Sequence, residues 1–516
     1  MDPLIPQRAG AAALALGEAD FRLTAPSGFG DGWNHYAHST AWFEGRLYVG
    51  TTRAQMAFMQ RTTPPPKLVP WPIKCPPNLD TIERRAEIWQ YTPATESWVR
   101  VFQSPYIKGP GGADVARYVG YRGMSVFQGS TDSKPVLYVS TWSPRFGGTA
   151  QLLRSEDGAN FEIVPRPPWN ESVRAFRVLQ PFQGRLHTSP TAAGVAVGKV
   201  QDSVGSDPTI YGADDLRSDS WKATSASGFG NPGNMTVFEM AEFNDHLYAA
   251  TVNVKGFELW KTRGGKPPYQ WTRVLEQGAF RGPFNEVGGS LCVFNGALYI
   301  GSGVLNGGYH RAAGVGPAAT ELLRVWPDDS WDIVMGEARM TPQGLKYPLS
   351  GYSCGFDNMF NGYVWRMCEH DGHLYAGTFC WANLLPYVPN QAWPDDVIAL
   401  IKRWSMEKLV QRYGGFELWR TADGVHWLPV TRTGFNNPYN WGARTLTSTP
   451  HGLFVATANP YGPDVAVKRD GKWQYVPNPR GGCEVWLGNK AFGQANSTPT
   501  ATPTSTPAAP PGTALA

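Results

Sequence analysis

Phe43-Glu44-Gly45-Arg46-Leu47-Tyr48-Val49-Gly50-Thr51 is a strand end, a tight turn and the strand that returns. Glu-Gly supplies the turn, and the alternation Leu, Val, Thr against Tyr, Gly has the period of a sheet. The unit comes back as Phe243-Asn244-Asp245-His246-Leu247-Tyr248, as Phe294-Asn295-Gly296-Ala297-Leu298-Tyr299, and as His370-Asp371-Gly372-His373-Leu374-Tyr375. Looser copies centre on Leu137-Tyr138, Leu186-His187 and Leu453-Phe454. Recurrence at about 50 residues, with four strands per unit, predicts a β-propeller.

The fourth unit sets the pattern. Its strands are expected at Thr236–Phe243, His246–Asn253, Gly256–Arg263 and Trp271–Gln277. Unit 6 repeats the third and fourth pieces at Gly415–Arg420 and Trp427–Thr433. Ser155-Glu156-Asp157-Gly158 and Thr421-Ala422-Asp423-Gly424 read as Asp-box-like hairpins, where Asp bonds local amides and Gly accepts positive φ. Phe21–Gly30 matches Trp221–Gly230, the outer strand of unit 3. The N-terminal segment should therefore pair with the C-terminal Gly482–Leu487. The expected fold is all-β: a seven-bladed β-propeller closed by pairing its two ends, over residues 21–490. Residues 1–20 form an extension, and 491–516 are a Ser/Thr/Pro/Ala-rich tail expected to be disordered.

Composition suits this reading. Aromatic residues make up 13% of the 516, with 21 Trp and 58 Gly. A net charge of +4 is too small to imply a nucleic-acid partner. No run approaches a membrane span. The apolar stretch Ala9–Leu16 lacks a basic flank, so the expected compartment is the cytoplasm, with secretion left open. Cys75, Cys292, Cys354, Cys368, Cys380 and Cys483 show no CxxC spacing, so buried free thiols are expected and no metal ligands. No cofactor is predicted, and a structural calcium ion is left open.

The long inserts all follow second strands: 54–85, 305–320 and 381–413. The last should carry a helix from Pro394 to Leu409, with Val397, Leu400, Ile401 and Trp404 on one side. Loops on a rigid scaffold carry sites, so the insert face is where the sequence places function.

Candidate residues gather on the innermost strands: His35 and His38, Arg122, Arg177, Glu239, Glu286, Arg366 and Arg444. Four arginines at corresponding positions suggest a cationic funnel for a carboxylate, sulfate, phosphate or halide. The alternative is salt bridging between units, to Glu239, Glu286 or Glu369. Asn34, Asn234, Asn285, Asn361 and Asn440 follow Gly-Phe or Phe at fixed spacing. They either ring a ligand, with Asn34 and Asn440 beside the other candidates, or cap loop backbone. His187 replaces the repeat's Tyr and reads as a satisfied core imidazole or a base.

Leu47-Tyr48-Val49-Gly50-Thr51-Thr52-Arg53, Leu374–Cys380 and Asn437-Pro438-Tyr439-Asn440 together resemble a family of bacterial propellers. That family includes the propeller portion of the cylindrocyclophane-forming alkylating enzyme. The resemblance implies C–C or C–O bond formation with a secondary alkyl chloride. It implies a halide held by Arg53 and Tyr439, and a base where this chain has Cys380. With Cys in that place the base would be His38 or Glu286. The expected partner is a small molecule or glycan with an anionic or halide group. The expected function is a small-molecule-modifying enzyme of specialised metabolism. A polysaccharide lyase, a lectin-like glycan binder and a protein-interaction scaffold are the other readings.

Overall fold

The computed structural model describes residues 15–62, 67–165, 173–191, 208–389 and 395–497. Most of the 1–20 extension, Pro64–Pro66, Pro394 and the tail from 498 lie outside the described residues.

The chain is all-β and rich in sheet. Each repeat unit is an antiparallel meander of four strands. Unit 1 is Asn34–Phe43, Arg46–Arg53, Glu87–Thr92 and Ser97–Gln103. Unit 4 is Thr236–Phe243, His246–Val252, Leu259–Thr262 and Thr272–Leu275. The first strand matches the sequence reading, and the outer two are shorter than it. The units beginning at Gly120, Ala175, Val287 and Asn361 follow the same order. Unit 7 takes Gly442–Thr449, Gly452–Ala458 and Val485–Gly488 from the C-terminal part. Its fourth strand is Phe21–Ala25, paired to Val485–Gly488 as the N-terminal repeat implied. Single antiparallel contacts such as Thr52 with Gly120 and Tyr36 with Ala458 join neighbouring units.

The inner hairpins are tight because both turn residues take positive φ: Glu44 and Gly45, Asn295 and Gly296, Asp371 and Gly372. That is the turn whose twist matches the strands it joins. After the turn, Leu and Tyr face opposite neighbours. Leu47 and Val49 pack with Phe454 and Ala456 of unit 7. Tyr48 packs with Tyr121, Leu137 and Val139 of unit 2. Strand alternation thus makes each unit a two-sided spacer.

Tyr48 also reaches the Asp-box turn of unit 2. A Cβ on Gly158 would lie 1.9 Å from Tyr48 Oη, and Gly158 has φ +73. Gly45 has φ +76 with nothing within 4 Å. Gly45→Ala is therefore expected to cost about 1 kcal/mol from backbone strain alone. Gly158→Ala adds the steric clash and is expected to cost about 3 kcal/mol. Urea unfolding of the two variants measures the difference. Equal costs would mean that Tyr48 yields freely.

The inserts build an apolar cap. Helix α1 (Gln55–Thr62) lies in the first insert. In the insert of unit 6 the chain forms two helices, α2 (Asp395–Trp404) and α3 (Met406–Tyr413), where the sequence reading had one. Ser405, at φ 62, breaks the helix and caps α3 by accepting from Lys408 N. Trp404 is thereby turned out to solvent, 47% exposed, while Ile398, Leu400 and Ile401 pack inward. Met56, Trp71, Ile73, Leu305, Trp381, Leu385, Tyr387 and Leu409 form one cluster with Tyr36, Phe238, Tyr363, Phe379 and Trp441 from the units. A hairpin that the sequence reading missed, Asp464–Arg469 with Lys472–Pro477, adds Val465 and Ala466. No helix among the described residues is long and apolar enough to cross a membrane.

Candidate functional site

Every first strand of a unit slips register at the same distance before its turn, and those of units 1 and 6 slip a second time near their start. The slips fall between Ala37 and Ser39, Tyr121 and Gly123, Phe176 and Leu179, Val237 and Glu239. They recur between Gly288 and Ser290, Val364 and Arg366, and Ala443 and Thr445. Each is a β-bulge, in which one residue, or in unit 3 the two residues Arg177 and Val178, is left without a cross-strand partner and re-aimed. The residues five before the strand end are His38, Arg122, Arg177, Phe238, Gly289, Trp365 and Arg444.

The charged members meet. His38 feels Arg444, Arg122, Arg177 and Arg366. Arg177 feels Arg122, Arg444, Arg366 and Glu239, and Arg444 feels Arg366, Arg122 and Glu239. Arg366 bonds Glu239, joining unit 6 to unit 4 past unit 5. This is the salt bridging foreseen as the alternative, and it engages Arg366 but neither Arg177 nor Arg444. Arg177 and Arg444 make no hydrogen bond to any described residue, and Arg444 Nε is buried without a partner. Arg444 is 3% exposed.

These guanidiniums are held by rings instead. Arg177 lies 3.5 Å from the centroid of Phe238 and Arg444 5.0 Å from Trp365. Stacking fixes a guanidinium plane while leaving its N–H edge unspent. Phe238 and Trp365 escaped the sequence reading, which looked for polar residues only. Their sign was the fixed offset from the turn.

Burial, and then the crowd of like charges, pulls the Arg177 and Arg444 pKa values well below the usual range. Arginine does not shed its proton in a protein, so the strain appears as lost stability. Burial and the same four arginines hold His38 neutral, with Nδ1 at 2.7 Å from Thr52 Oγ1. A ring depressed so far is a weak base at neutral pH.

The residues carried over by the resemblance are engaged elsewhere. Arg53 donates from Nε to Glu83 O at 2.8 Å, from one terminal nitrogen to Asn34 Oδ1 at 2.9 Å, and from the other to Asp31 at 2.5 Å. Cys380 is fully buried and its thiol donates to Tyr413 O at 3.0 Å. Burial raises its pKa far above the ordinary thiol value, the wrong direction for a nucleophile. Tyr439 packs on Tyr461 at 5.3 Å. His35 accepts from Met56 N and bonds Gly462 O with its other nitrogen, both at 3.2 Å. Glu286 is fully buried and pairs with His310 at 2.6 Å, a partner the sequence did not suggest.

The five asparagines are structural. Asn34 Nδ2 donates to Gly28 O at 3.0 Å and to Glu87 at 2.8 Å. Asn440 does the same with Gly434 O at 3.0 Å and Glu484 at 2.6 Å. Asn234, Asn285 and Asn361 repeat the pattern with Glu258, Glu321 and Glu417. In four units the same Glu accepts from a Trp two residues on, Trp89, Trp260, Trp419 and Trp486. The Phe of the Gly-Phe loop stacks on that Trp, at 4.8 Å for Phe29 and 4.5 Å for Phe356. Both amide hydrogens of Asn34 and Asn440 are thus spent within the fold, and neither side chain remains to hold a ligand.

Two buried imidazoles give the protein an acid-side weakness. Burial lowers His35 to about 3 and His187 to about 4. The folded state binds fewer protons than the unfolded one between those values and the ordinary 6.5. Their contribution is whole above pH 6.5 and is lost as pH falls toward 4. Urea midpoints from pH 7 to pH 4.5 should fall, and His187→Gln should flatten the slope. An unchanged slope would place the pH dependence elsewhere.

Among the described residues no three His, Cys, Asp or Glu gather to hold a metal ion. No protein-family model and no curated protein sequence matches the chain. Among solved structures it is similar to a puromycin-hydrolyzing peptidase of Mycobacterium tuberculosis, at 11% identity and TM-score 0.40 over 91% of this chain and 57% of the peptidase. A puromycin hydrolase gives 11% identity and TM-score 0.41, over 88% of this chain and 56% of that one. A GH93 α-L-arabinofuranosidase of Fusarium graminearum gives 9% identity and TM-score 0.34, over 69% of this chain and 90% of the other. The chain spans little more than half the length of the first two.

Proposed function

We propose that the seven units close into a seven-bladed propeller and that its central shaft holds a small molecule by an anionic group. The observation that carries this is the pair Arg177 and Arg444, aimed by bulges, stacked on rings and lacking any hydrogen-bonded partner among the described residues. Buried cations are normally paired, and a buried Arg444 left open beside a half-buried open Arg177 marks a place for a ligand's charge.

The ligand reaches the arginines from the hairpin side. Before the bulge, the first strands are buried under the apolar cap. Beyond it, Ser125, Gln180, Cys292, Cys368 and Thr447 are partly exposed, and Glu242 and Glu369 are exposed. The insert face, favoured by the sequence, acts as a lid on the shaft. A buried, capped site suits a small-molecule-modifying enzyme better than a lyase or lectin, whose polymer needs an open groove. Alkylation by an alkyl halide draws no support from Arg53 and Cys380, both engaged within the fold.

Thermal unfolding with and without sodium sulfate, at matched ionic strength, tests the anion site. The expected result is a higher Tm with sulfate for the wild type, because a ligand of the native state stabilises it. A Tm that follows ionic strength alone would overturn the site.

A further inference from the structure

We infer that the group bound between Arg122, Arg177 and Arg444 is a dianionic oxyanion, a phosphate or sulfate, free or as an ester. This rests on the anion site proposed above and names its ligand class. The first argument is charge. Four guanidiniums and one carboxylate share the cluster, and Arg366 already has Glu239. A halide or a single carboxylate would offset only one of the two open arginines, the buried Arg444 or the half-buried Arg177, and leave the other uncompensated.

The second argument is donor shape. A guanidinium edge offers two parallel N–H groups that match two oxygens of one anion, whereas a spherical halide uses them poorly. Arg177 and Arg444 keep those edges unspent while Phe238 and Trp365 cover one face of each. Edges arriving from units 3 and 7 can each take a pair of oxygens, and a tetrahedral oxyanion has enough to serve both. The third is the neutral acceptor or donor nearby. His38 is anchored by Thr52 through Nδ1, so its Nε2 can donate to one further oxygen without adding charge.

Isothermal titration of the full chain at pH 7.5 tests the assignment with sulfate, inorganic phosphate, phenyl phosphate, acetate and chloride in separate runs. Sulfate and phosphate are expected to bind about tenfold or more tighter than acetate or chloride. Phenyl phosphate binding tighter than inorganic phosphate identifies an ester as the ligand, and weaker binding identifies the free ion; both uphold the class. Chloride or acetate binding as well as sulfate overturns the class and leaves the anion site standing. If no anion binds, the site itself falls. Arg444→Met should lose sulfate binding while keeping the circular dichroism of the wild type; if it does not fold, Arg177→Met takes its place. Sulfate binding undiminished in the folded variant overturns the assignment.

Discussion

Glu321→Ala is expected to be among the most damaging single substitutions in the chain, at about 3–5 kcal/mol. Glu321 is fully buried. It accepts from Asn285 at 2.7 Å, from both terminal nitrogens of Arg339 at 2.8 and 3.0 Å, and from Glu337 N at 2.9 Å. Arg281 stands 3.6 Å away. Alanine would take the carboxylate from Arg339, the nearby counter-charge from Arg281 and one of two acceptors from the Asn285 amide, and an unmade buried bond costs more than a made one gains. Glu321→Gln keeps the volume and part of the bonding, and should cost about half as much. Urea midpoints at unchanged m-value measure both. A loss under about 1 kcal/mol for the alanine variant would show that solvent reaches the arginines and replaces the carboxylate.

Arg444→Met should move stability the other way. Without an anion, it removes a buried charge that has no bonded counter-charge and adds an apolar side chain beside Trp365. Replacing buried charge by packed apolar volume is neutral to stabilising, by up to about 4 kcal/mol. The wild type regains the deficit only with its ligand, at about 2.7 kcal/mol when the anion is at 100 times Kd. The two unfolding curves should therefore change order: variant above wild type in anion-free buffer, wild type at or above variant in saturating sulfate. A variant less stable in both buffers would make Arg444 a structural residue and remove the basis of the site.

The repeat was legible because strand alternation and turn chemistry are local. Leu47-Tyr48 and its copies, and the first strand of unit 4, needed only neighbours in sequence. The pairing of Phe21–Ala25 with Val485–Gly488 was legible because the N-terminal segment copies an internal outer strand. The asparagines were visible as a motif, but their meaning was not. Each is fixed by a glutamate far along the chain, 53 residues on for Asn34, and such a partner leaves no periodic trace. The arginines were found by strand correspondence. Their separation into one paired and two open ones depended on Glu239 crossing from a non-adjacent unit. Ser405 hid the break between α2 and α3 because the apolar spacing runs through it. Arg53 and Cys380 occupy matching ends of second strands, and position alone could not reveal that Arg53 is tied down by Asp31, Asn34 and Glu83.

The repeated register slip separates two jobs that most strands must share. Most buried side chains of these inner strands are committed to the sheet and to the unit beside them. The slipped residue is excused from cross-strand pairing and meets its counterparts from other units instead, as Arg177 meets Phe238 and Arg444 meets Trp365. The chain therefore carries seven corresponding addresses, at positions 38, 122, 177, 238, 289, 365 and 444, whose occupants answer to one another rather than to the sheet. The occupants here, three arginines, a histidine, two aromatics and a glycine, are one spelling among many. Gly289 is the blank in it, the natural place to write a new specificity.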